Sequence, residues 1–386
     1  MDGDGCILRR PCVSHTFAGK LAKEFYSFEK IAEIKELDSF CDRNFYIRGK
    51  QKAKTEPHLI KADQSLTVLD DREYVLKILN SDDSKHGDLV DAENEAMRYL
   101  RSRDFPCALV YPVTGSSGTK LYARVPLPRD LDDEKTEECI VRLVSFLPGE
   151  TAESMGRISQ ENLLCIGQFV GRLSRAFQGF ESPVLTQKFD RWSLENFLSL
   201  EEYITFVNDR EIQSIIHRVM GIFKTQVIPK LSHLRRGIIH NDVTTANLLV
   251  DTTQGSLKIS GLIDFGDIRH SCVVFELANA LASFINEDQM LVDSGYLVAG
   301  YQAACPIPGL EFDLLYDVVL ARLCQVVIIT NKEQMKHPDN RYLNHTLEKY
   351  SANLTAWFKN SKEEVLKCWR KIGLKYLLAS SRNHRD

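Results

Sequence analysis

The sequence predicts an α+β fold in two lobes, a small strand-rich N-terminal lobe and a larger, mainly helical C-terminal lobe. Short runs of alternating apolar residues dominate up to a break at Pro148-Gly149, and apolar residues at helical spacing dominate after it. A polar loop at residues 240–247, framed by apolar strands, interrupts the helical part. We expect a disordered N-terminus at residues 1–13, an N-lobe at 14–148 and a C-lobe at 149–386.

The polar loop carries three side chains that can perform chemistry. It has the pattern H-x-D-x-x-x-x-N, formed by His240, Asp242 and Asn247, and Asp264-Phe265-Gly266 follows after a short strand. Phosphoryl transfer needs a carboxylate that orients a hydroxyl and accepts its proton, and it needs hard oxygen ligands for Mg²⁺. Asp242 suits the first task as catalytic base, and Asn247 and Asp264 suit the second as metal ligands.

The same loop would also be compatible with an ordinary hairpin that has polar turn residues. The spacing of Asp242 and Asn247 alone would arise mostly by chance. Together with His240 before it and the second aspartate after it, the pattern favours a kinase catalytic loop. We expect His240 to order this loop through hydrogen bonds rather than to transfer a proton.

This stretch resembles the aminoglycoside phosphotransferase and choline kinase superfamily, a small-molecule branch of the protein-kinase-like fold. His240-Asn241-Asp242 is closer to the H-G-D of that branch than to the H-R-D of protein kinases. The segment Val273–Ala278 is similar to the helix that replaces the protein-kinase activation segment there. More narrowly, the chain resembles the hydroxylysine kinase family from about Lys30 to the C-terminal helices. The resemblance implies an active site in the cleft between the lobes, a nucleotide donor and Mg²⁺.

Two charged residues of the N-terminal part suggest a site for the nucleotide phosphates. Lys77 stands alone in the apolar strand Glu73–Leu79, where a solvent-facing role would be the simpler interpretation without the catalytic loop. Glu93 lies on the apolar face of a helix from Gly87 to Ser102, and a carboxylate on an inward face needs a partner. We expect a Lys77–Glu93 ion pair, with Asp91 as the alternative carboxylate.

Two further segments are candidates for contacts with the nucleotide. The turn at Asp38–Ile47 has no glycine, and Asn44 and nearby backbone N–H groups would face the phosphates, although an ordinary hairpin turn fits as well. Backbone groups between Ser145 and Leu147, at the break between the lobes, would contact the nucleotide base. A plain linker there is compatible with the same sequence.

Several helices have clear signals at their ends. Ser14 and Ser159 are candidate N-caps of helices with apolar residues at helical spacing. A long helix is expected from Glu211 to Arg236, with Gly237 as its C-cap. Further helices are expected at residues 273–285, 291–304, 312–330 and 343–358.

Composition restricts the classes of protein to which the chain can belong. Of 386 residues, 44% are hydrophobic, which is enough for a sizeable core, and the net charge of −4 comes with no basic block suited to nucleic acid. Ten cysteines without a C-x-x-C pair argue against a zinc site and for reduced thiols. The first residues lack the apolar core of a signal peptide, and no run reaches the ~20 apolar residues needed to span a bilayer, so we expect neither a signal peptide nor a membrane span. We expect a cytosolic protein whose partners are a nucleotide and a small molecule.

The resemblance to hydroxylysine kinases implies transfer of the γ-phosphate of GTP to the hydroxyl of 5-hydroxy-L-lysine, giving 5-phosphohydroxy-L-lysine. Such an acceptor carries two ammonium groups and a carboxylate. Asp267 and Glu276 would serve the ammonium groups, Arg322 would bind the carboxylate at the far end, and Trp192 would wall the pocket. A salt-bridged helix residue at Arg322 and a structural bond from Glu276 to the catalytic loop are the alternatives.

Two other functions fit parts of the pattern. One is an ATP-dependent kinase for another amino alcohol, such as homoserine, choline or an aminoglycoside. The other is a non-catalytic kinase-like protein that binds a nucleotide. The complete set of Lys77, Asp242, Asn247 and Asp264 argues against the latter, because the loss of catalysis relaxes the need for these side chains.

Overall fold

The computed structural model describes residues 10–37, 39, 42–52, 72–116, 119–128, 135–188, 190–252, 257–336, 338 and 340–383. The chain divides into two compact units. The first comprises Met1–Ser102 and Cys107–Leu147, and the second comprises Arg103–Pro106 and Pro148–Asp386.

An antiparallel sheet of six strands forms the centre of the first unit. Its strands run in the order β1-β2-β3-β6-β4, and β5 pairs with β6. In β3, Tyr74, Leu76 and Ile78 are buried while the residues between them are less so, as alternation predicts. The elements of this unit are α1 (His15–Tyr26), β1 (Phe28–Leu37), β2 (Arg43–Gln51), β3 (Arg72–Ile78), α2 (Gly87–Arg101), β4 (Val110–Tyr111), β5 (Ala123–Pro128) and β6 (Thr136–Ser145).

Ordered packing of the first unit includes residues before α1 that we had expected to be disordered. The Phe17 N–H donates to the hydroxyl oxygen of Ser14 at 3.2 Å, which confirms Ser14 as the N-cap of α1. Val13 is buried in the core of this unit, so the disorder expected for residues 1–13 does not extend to it. Residues 1–9 of that expectation lie outside the described residues.

The second unit is mainly helical. Its helices are α3 (Gln160–Phe177), α4 (Pro183–Gln187), α5 (Arg210–Ile222), α6 (Val274–Phe284), α7 (Met290–Ala304), α8 (Gly309–Lys336), α9 (Arg341–Lys359) and α10 (Lys362–Asn383). The hydroxyl of Ser159 accepts from the Asn162 N–H at 3.2 Å, which confirms the predicted N-cap of α3. Helices α3 and α7 approach closely, because a Cβ at Gly167 or Gly300 would meet a backbone oxygen at 2.1 Å.

The prediction of one long helix from Glu211 to Arg236 is correct for its first half and wrong for its second. Helix α5 ends at Ile222, and a π turn and a 3-10 turn carry the chain to His233. Pro229 cannot donate the next helical hydrogen bond, which accounts for the break. Gly237 lies in a strand and is not a helix cap.

Short strands in the second unit hold the loops that carry the predicted catalytic residues. They are β7 (Glu150–Thr151), β8 (Arg236–Ile239), β9 (Leu248–Asp251), β10 (Lys258–Leu262) and β11 (Arg269–Cys272). The pairs are β10-β9-β7 and β11-β8. Among the described residues, no helix combines the length and apolarity needed to cross a membrane, and no disulfide joins their eight cysteines.

Candidate active site

The catalytic loop, residues 240–247, connects two buried strand ends. Ile238 and Ile239 end β8, and Leu248 and Leu249 begin β9, so apolar burial fixes both ends of the loop. The Ile263 N–H donates to the backbone oxygen of Asn247 at 3.0 Å, which brings the segment after β10 against the loop. The two motifs predicted from the sequence are therefore neighbours within the second unit.

A buried carboxylate from α6 holds the first residues of the loop. Glu276 is fully buried and accepts the N–H groups of His240 at 2.5 Å and of Asn241 at 3.0 Å. Both carboxylate oxygens are occupied by backbone donors, so the role of Glu276 in binding a substrate ammonium was wrong. Burial raises its pKa to about 7, while the two N–H bonds act in the opposite direction.

Asn241 occupies the position of the glycine in the H-G-D pattern and adopts a backbone conformation that glycine favours. Its φ is +66°, in the left-handed region where asparagine is among the better tolerated residues after glycine. Its backbone oxygen accepts from Asn279 Nδ2 at 2.7 Å, and its own Nδ2 donates to the Trp192 oxygen at 3.3 Å. These bonds support a strained backbone next to Asp242.

Asp242 has one oxygen tied within the loop and one directed at an arginine. Oδ2 accepts from Asn247 Nδ2 at 2.6 Å, and Oδ1 lies 3.6 Å from Arg322 Nη2. A quarter of the side chain is exposed. Burial, followed by the charge of Asp267, raises the pKa of Asp242, and the charge of Arg322 lowers it. This carboxylate is anchored yet accessible, as a general base must be.

Arg322, on α8, lies beside the catalytic loop. We had expected it at the far end of an acceptor pocket. It is 4% exposed, and its Nη1 donates to Gln325 Oε1 at 2.9 Å. Its guanidinium lies 5.4 Å from the ring centroid of Trp192, a cation–π distance. This contact agrees with the alternative of a salt-bridged helix residue, but the sequence could not show that the partner is Asp242.

Asn247 and Asp264, the two predicted metal ligands, lie on neighbouring segments, because the Ile263 N–H donates to the Asn247 backbone oxygen. The amide nitrogen of Asn247 is used by Asp242, and no described residue donates to its Oδ1, which leaves that oxygen as an acceptor for a cation. Asp264 is exposed, and its φ of +62° turns the chain sharply after Ile263. Two oxygen ligands from the protein suit Mg²⁺, which usually takes the rest from phosphates and water.

His240 is wholly buried and packs its ring against Phe265 at 4.7 Å between centroids. Its Nδ1 accepts the N–H of Asp242 at 3.3 Å. Burial lowers the pKa of His240 to about 4, against the opposing charge of Asp264. A neutral imidazole that bonds to the backbone agrees with an ordering role.

Asp267 and Trp192 lie close to the same loop. Arg269, 1% exposed, contacts Asp190 at 2.8 Å and Asp267 at 3.3 Å. Because Asp190 also accepts the N–H of Trp192 at 2.8 Å, these groups form one network beneath the loop. Asp267 remains partly exposed and stays a candidate for binding an ammonium group.

In the first unit, three polar side chains share one face of the sheet. Lys77 is the register partner of Asn44 on β2 and of Arg142 on β6, and directly opposed residues point to the same face. Glu93 of α2 forms an ion pair with Arg142 at 2.8 Å, and both are almost fully buried. The structure therefore gives Glu93 a partner that we had not predicted, while its pairing with Lys77 stays a prediction.

The segment predicted to contact the nucleotide base is partly occupied by the sheet. The N–H of Ser145 donates to the Leu109 oxygen at 2.8 Å, and the Ser145 hydroxyl accepts from the Leu109 N–H at 2.9 Å. The N–H of Ser145 is therefore not available to a base, and a contact through its backbone oxygen stays a prediction. For Leu147, which ends the first unit, that role stays a prediction.

The sequence interpretation missed four residues around these sites: Arg142, Asn279, Gln325 and Lys349. A single arginine in the apolar strand Cys139–Leu143 was a usable signal for the first. The other three lie on helices, and no sequence pattern there distinguishes the polar residue near the site from other polar residues of the same helix.

Comparisons with known proteins agree with this geometry. Residues 60–309 match the model of the phosphotransferase enzyme family APH. Hydroxylysine kinase of Xenopus laevis is 30% identical over 374 residues, covering 93% of this chain and 94% of that protein. The mouse enzyme is 27% identical over 379 residues, with 95% of each covered. Homoserine kinase of Methylobacillus glycogenes is 25% identical over 195 residues, about half of each chain.

Solved structures show the same fold at low sequence identity. An amicoumacin kinase bound to AMP-PNP, Ca²⁺ and Ami has a TM-score of 0.62 and 14% identity, with 92% of this chain and 97% of that one covered. A microcompartment-associated aminopropanol kinase has a TM-score of 0.59 and 17% identity, with 94% and 99% covered. The chain is thus a protein-kinase-like phosphotransferase that acts on an alcohol group, and it belongs to the phosphotransferase enzyme family and, within it, to the hydroxylysine kinase family.

Proposed function

We propose that this protein transfers the γ-phosphate of GTP to the side-chain hydroxyl of 5-hydroxy-L-lysine. The observation that carries the proposal is the contact of Asp242 with Asn247 at 2.6 Å beside a buried arginine. It joins a base to a candidate metal ligand in one loop. The similarity to hydroxylysine kinases over nearly the whole chain supports the acceptor, and the same resemblance implies GTP.

In the proposed reaction, the acceptor hydroxyl gives its proton to Asp242 while its oxygen bonds to the γ-phosphorus. The bond from that phosphorus to GDP breaks, and GDP keeps the electron pair. Asn247 and Asp264 would hold Mg²⁺, which supplies charge neutralisation on the phosphates when it is bound. Lys77 would pair with the phosphates from the first unit, and Asn44 would lie near them.

The acceptor site needs negative charge for the ammonium groups of hydroxylysine. Asp267 supports this requirement, because its carboxylate is partly exposed and its charge raises the pKa of Asp242, the proposed base. An aromatic wall from Trp192 would cover the aliphatic part of the acceptor.

Homoserine is the second candidate acceptor, favoured by the similarity to homoserine kinase over half of the chain. It is also a hydroxylated amino acid, but it lacks the side-chain ammonium group. An acceptor site with acidic groups near the hydroxyl therefore favours hydroxylysine over homoserine.

Steady-state kinetics with both acceptors and both nucleotides test the proposal. We expect the highest kcat/KM for 5-hydroxy-L-lysine with GTP. A higher kcat/KM for homoserine, choline or an aminoglycoside would contradict the acceptor while leaving a kinase. A higher kcat/KM for ATP than for GTP would contradict the donor alone.

A further inference from the structure

The second unit contains a cation beside the catalytic loop whose role none of the preceding assignments explains. Lys349, on α9, is partly buried, and its Nζ donates to the hydroxyl of Thr245 at 3.1 Å. Thr245 follows Asp242 by three residues in the loop. Among the residues that the structure describes, no carboxylate lies within 4 Å of this ammonium. A single neutral acceptor leaves a cation with three donors poorly compensated.

A nearby carboxylate, that of Glu153, lacks a close cationic partner among the described residues. Glu153 is tied to the loop by its backbone, since its N–H donates to the Thr245 oxygen at 3.0 Å, and its side chain is 40% exposed. The described part of the chain offers its carboxylate one cationic group within 4 Å, His345 Nε2 at 3.9 Å. Burial lowers the pKa of Lys349 and the charge of Glu153 opposes this, so the two groups affect each other without making an ion pair.

The surroundings link this pair of charges electrostatically to the catalytic base. The ring of Tyr350 lies 5.9 Å from Lys349 Nζ. The pKa of Tyr350 is raised by burial and is also affected by the charges of Arg322, Asp242 and Glu153. These groups therefore lie near one another at the loop.

A second unsatisfied donor lies one helical turn after Lys349. Asn353 is 3% exposed, and its Nδ2 has no hydrogen-bond acceptor among the described residues. Residues four apart lie on the same side of a helix, so Lys349 and Asn353 present two donors along one side of α9. Buried donors without partners are uncommon and mark places where a ligand can supply an acceptor.

We infer that Lys349 and Glu153 form a subsite for the α-amino acid end of the acceptor, with Lys349 binding the α-carboxylate and Glu153 the α-ammonium group. The inference rests on the proposed function and specifies its acceptor site. It also follows from the correction at Arg322, because that guanidinium is already engaged by Gln325, Trp192 and Asp242. A carboxylate on the substrate therefore needs another cation.

The test separates the carboxylate from the rest of the ligand. L-lysine has both α groups and no hydroxyl to phosphorylate, and cadaverine is the same molecule without the carboxylate. Calorimetric titration should show that Lys349→Met weakens L-lysine binding about 10- to 100-fold, the loss of one hydrogen bond to a charged group, and leaves cadaverine within twofold. Glu153→Gln should weaken both ligands alike, because both retain the ammonium group.

Lys359→Met is the matched control, since Lys359 is exposed near the end of the same helix and should change neither affinity. The kinetic counterpart is a 10- to 100-fold rise in KM for 5-hydroxy-L-lysine in Lys349→Met, about the same loss, with a much smaller change for 1,5-diaminopentan-2-ol, its decarboxylated form. Partial unfolding would affect both ligands of a pair equally, so the ratio between them isolates the carboxylate.

Equal effects of Lys349→Met on L-lysine and cadaverine, or no effect on either, would overturn the inference, because a purely structural bond to Thr245 does not distinguish ligands. Lack of L-lysine binding by the wild-type protein would overturn it too. If L-lysine binding depends on Lys349 but no hydroxylated amino acid is phosphorylated, the proposed function fails and the subsite stands. If hydroxylysine is phosphorylated without this dependence, the subsite fails and the function stands.

Discussion

Each of the two units contains a buried arginine beside a carboxylate that the sequence predicts to be functional, and the two contacts differ in distance and in exposure. In the first unit, Arg142 and Glu93 are 2.8 Å apart, with side chains that are 3% and 8% exposed. In the second, Arg322 and Asp242 are 3.6 Å apart, and the aspartate is 25% exposed. The first contact is a closed ion pair, and the second is longer and open to solvent at the carboxylate.

The neighbours of each arginine explain this difference. Among the residues that the structure describes, Arg142 donates otherwise to Asn94 Oδ1 at 3.2 Å, so Glu93 supplies most of its compensation. Arg322 also donates to Gln325 Oε1 and lies over the face of Trp192, so Asp242 is one of several contacts that hold it. We propose that Arg142 stabilises the fold around Glu93, whereas Arg322 acts on Asp242, the proposed base, which must stay reactive.

The largest effect should follow from removing the open carboxylate itself. In Asp242→Asn, the acceptor hydroxyl loses its base while Asn247 and Arg322 keep their other contacts. We expect kcat to fall by about 10²- to 10⁴-fold with nucleotide affinity retained. Steady-state kinetics measure the change in kcat, and calorimetric titration measures the nucleotide affinity. A variant within about threefold of the wild-type kcat would refute the assignment of Asp242 as base.

Breaking the closed pair should act on stability. Arg142→Met leaves Glu93 in a buried position without its arginine, and breaking such a pair typically costs about 3–5 kcal/mol. Urea unfolding should show this loss in the free energy of unfolding. The control is the double variant Arg142→Met with Glu93→Met, which removes both charges and should recover part of the stability. Equal losses in the single and double variants would show that the charge pair is not the cause.

Removing the second arginine should separate activity from stability. Arg322→Met keeps an apolar side chain over Trp192 but takes the cation from Asp242. We expect kcat to fall about 10- to 100-fold, the effect of losing one charged contact, with a smaller loss of unfolding free energy than in Arg142→Met. Kinetics and urea unfolding on both variants test the contrast. A larger stability loss for Arg322→Met than for Arg142→Met would invert the comparison.

The sequence was most informative where chemistry dictates spacing and least informative where tertiary packing chooses partners. The spacing of His240, Asp242 and Asn247 could be recognised because phosphoryl transfer constrains it. Glu93 was correctly placed on an inward face, but its arginine lies 49 residues away on another strand, and no local pattern indicates it.

Glu276 and Arg322 were assigned to the acceptor site, and they show the same dependence on tertiary packing. The overlong helix predicted from Glu211 has a different cause. Glu276 and Arg322 have the charge that an acceptor site needs, and only the fold shows that backbone N–H groups and Asp242 occupy them. The overlong helix after Glu211, by contrast, could have been avoided. Pro229 lies in its second half, and a proline inside a helical pattern is a known stop signal.

The smallest effect concerns whether Glu93 serves Lys77 as well as Arg142. Lys77 and Arg142 are register partners on β3 and β6 and extend from the same face of the sheet, and Glu93 binds Arg142 there. Glu93→Gln keeps the shape and should lower kcat about 3- to 10-fold, in the range of a weak charge coupling. In a Lys77→Met background the same change should have little further effect. Strictly additive effects in this double-mutant cycle would show that the Lys77–Glu93 pair does not form. Asp91 would not be a ready substitute, because it accepts from the Tyr122 hydroxyl at 3.4 Å on an exposed face of α2.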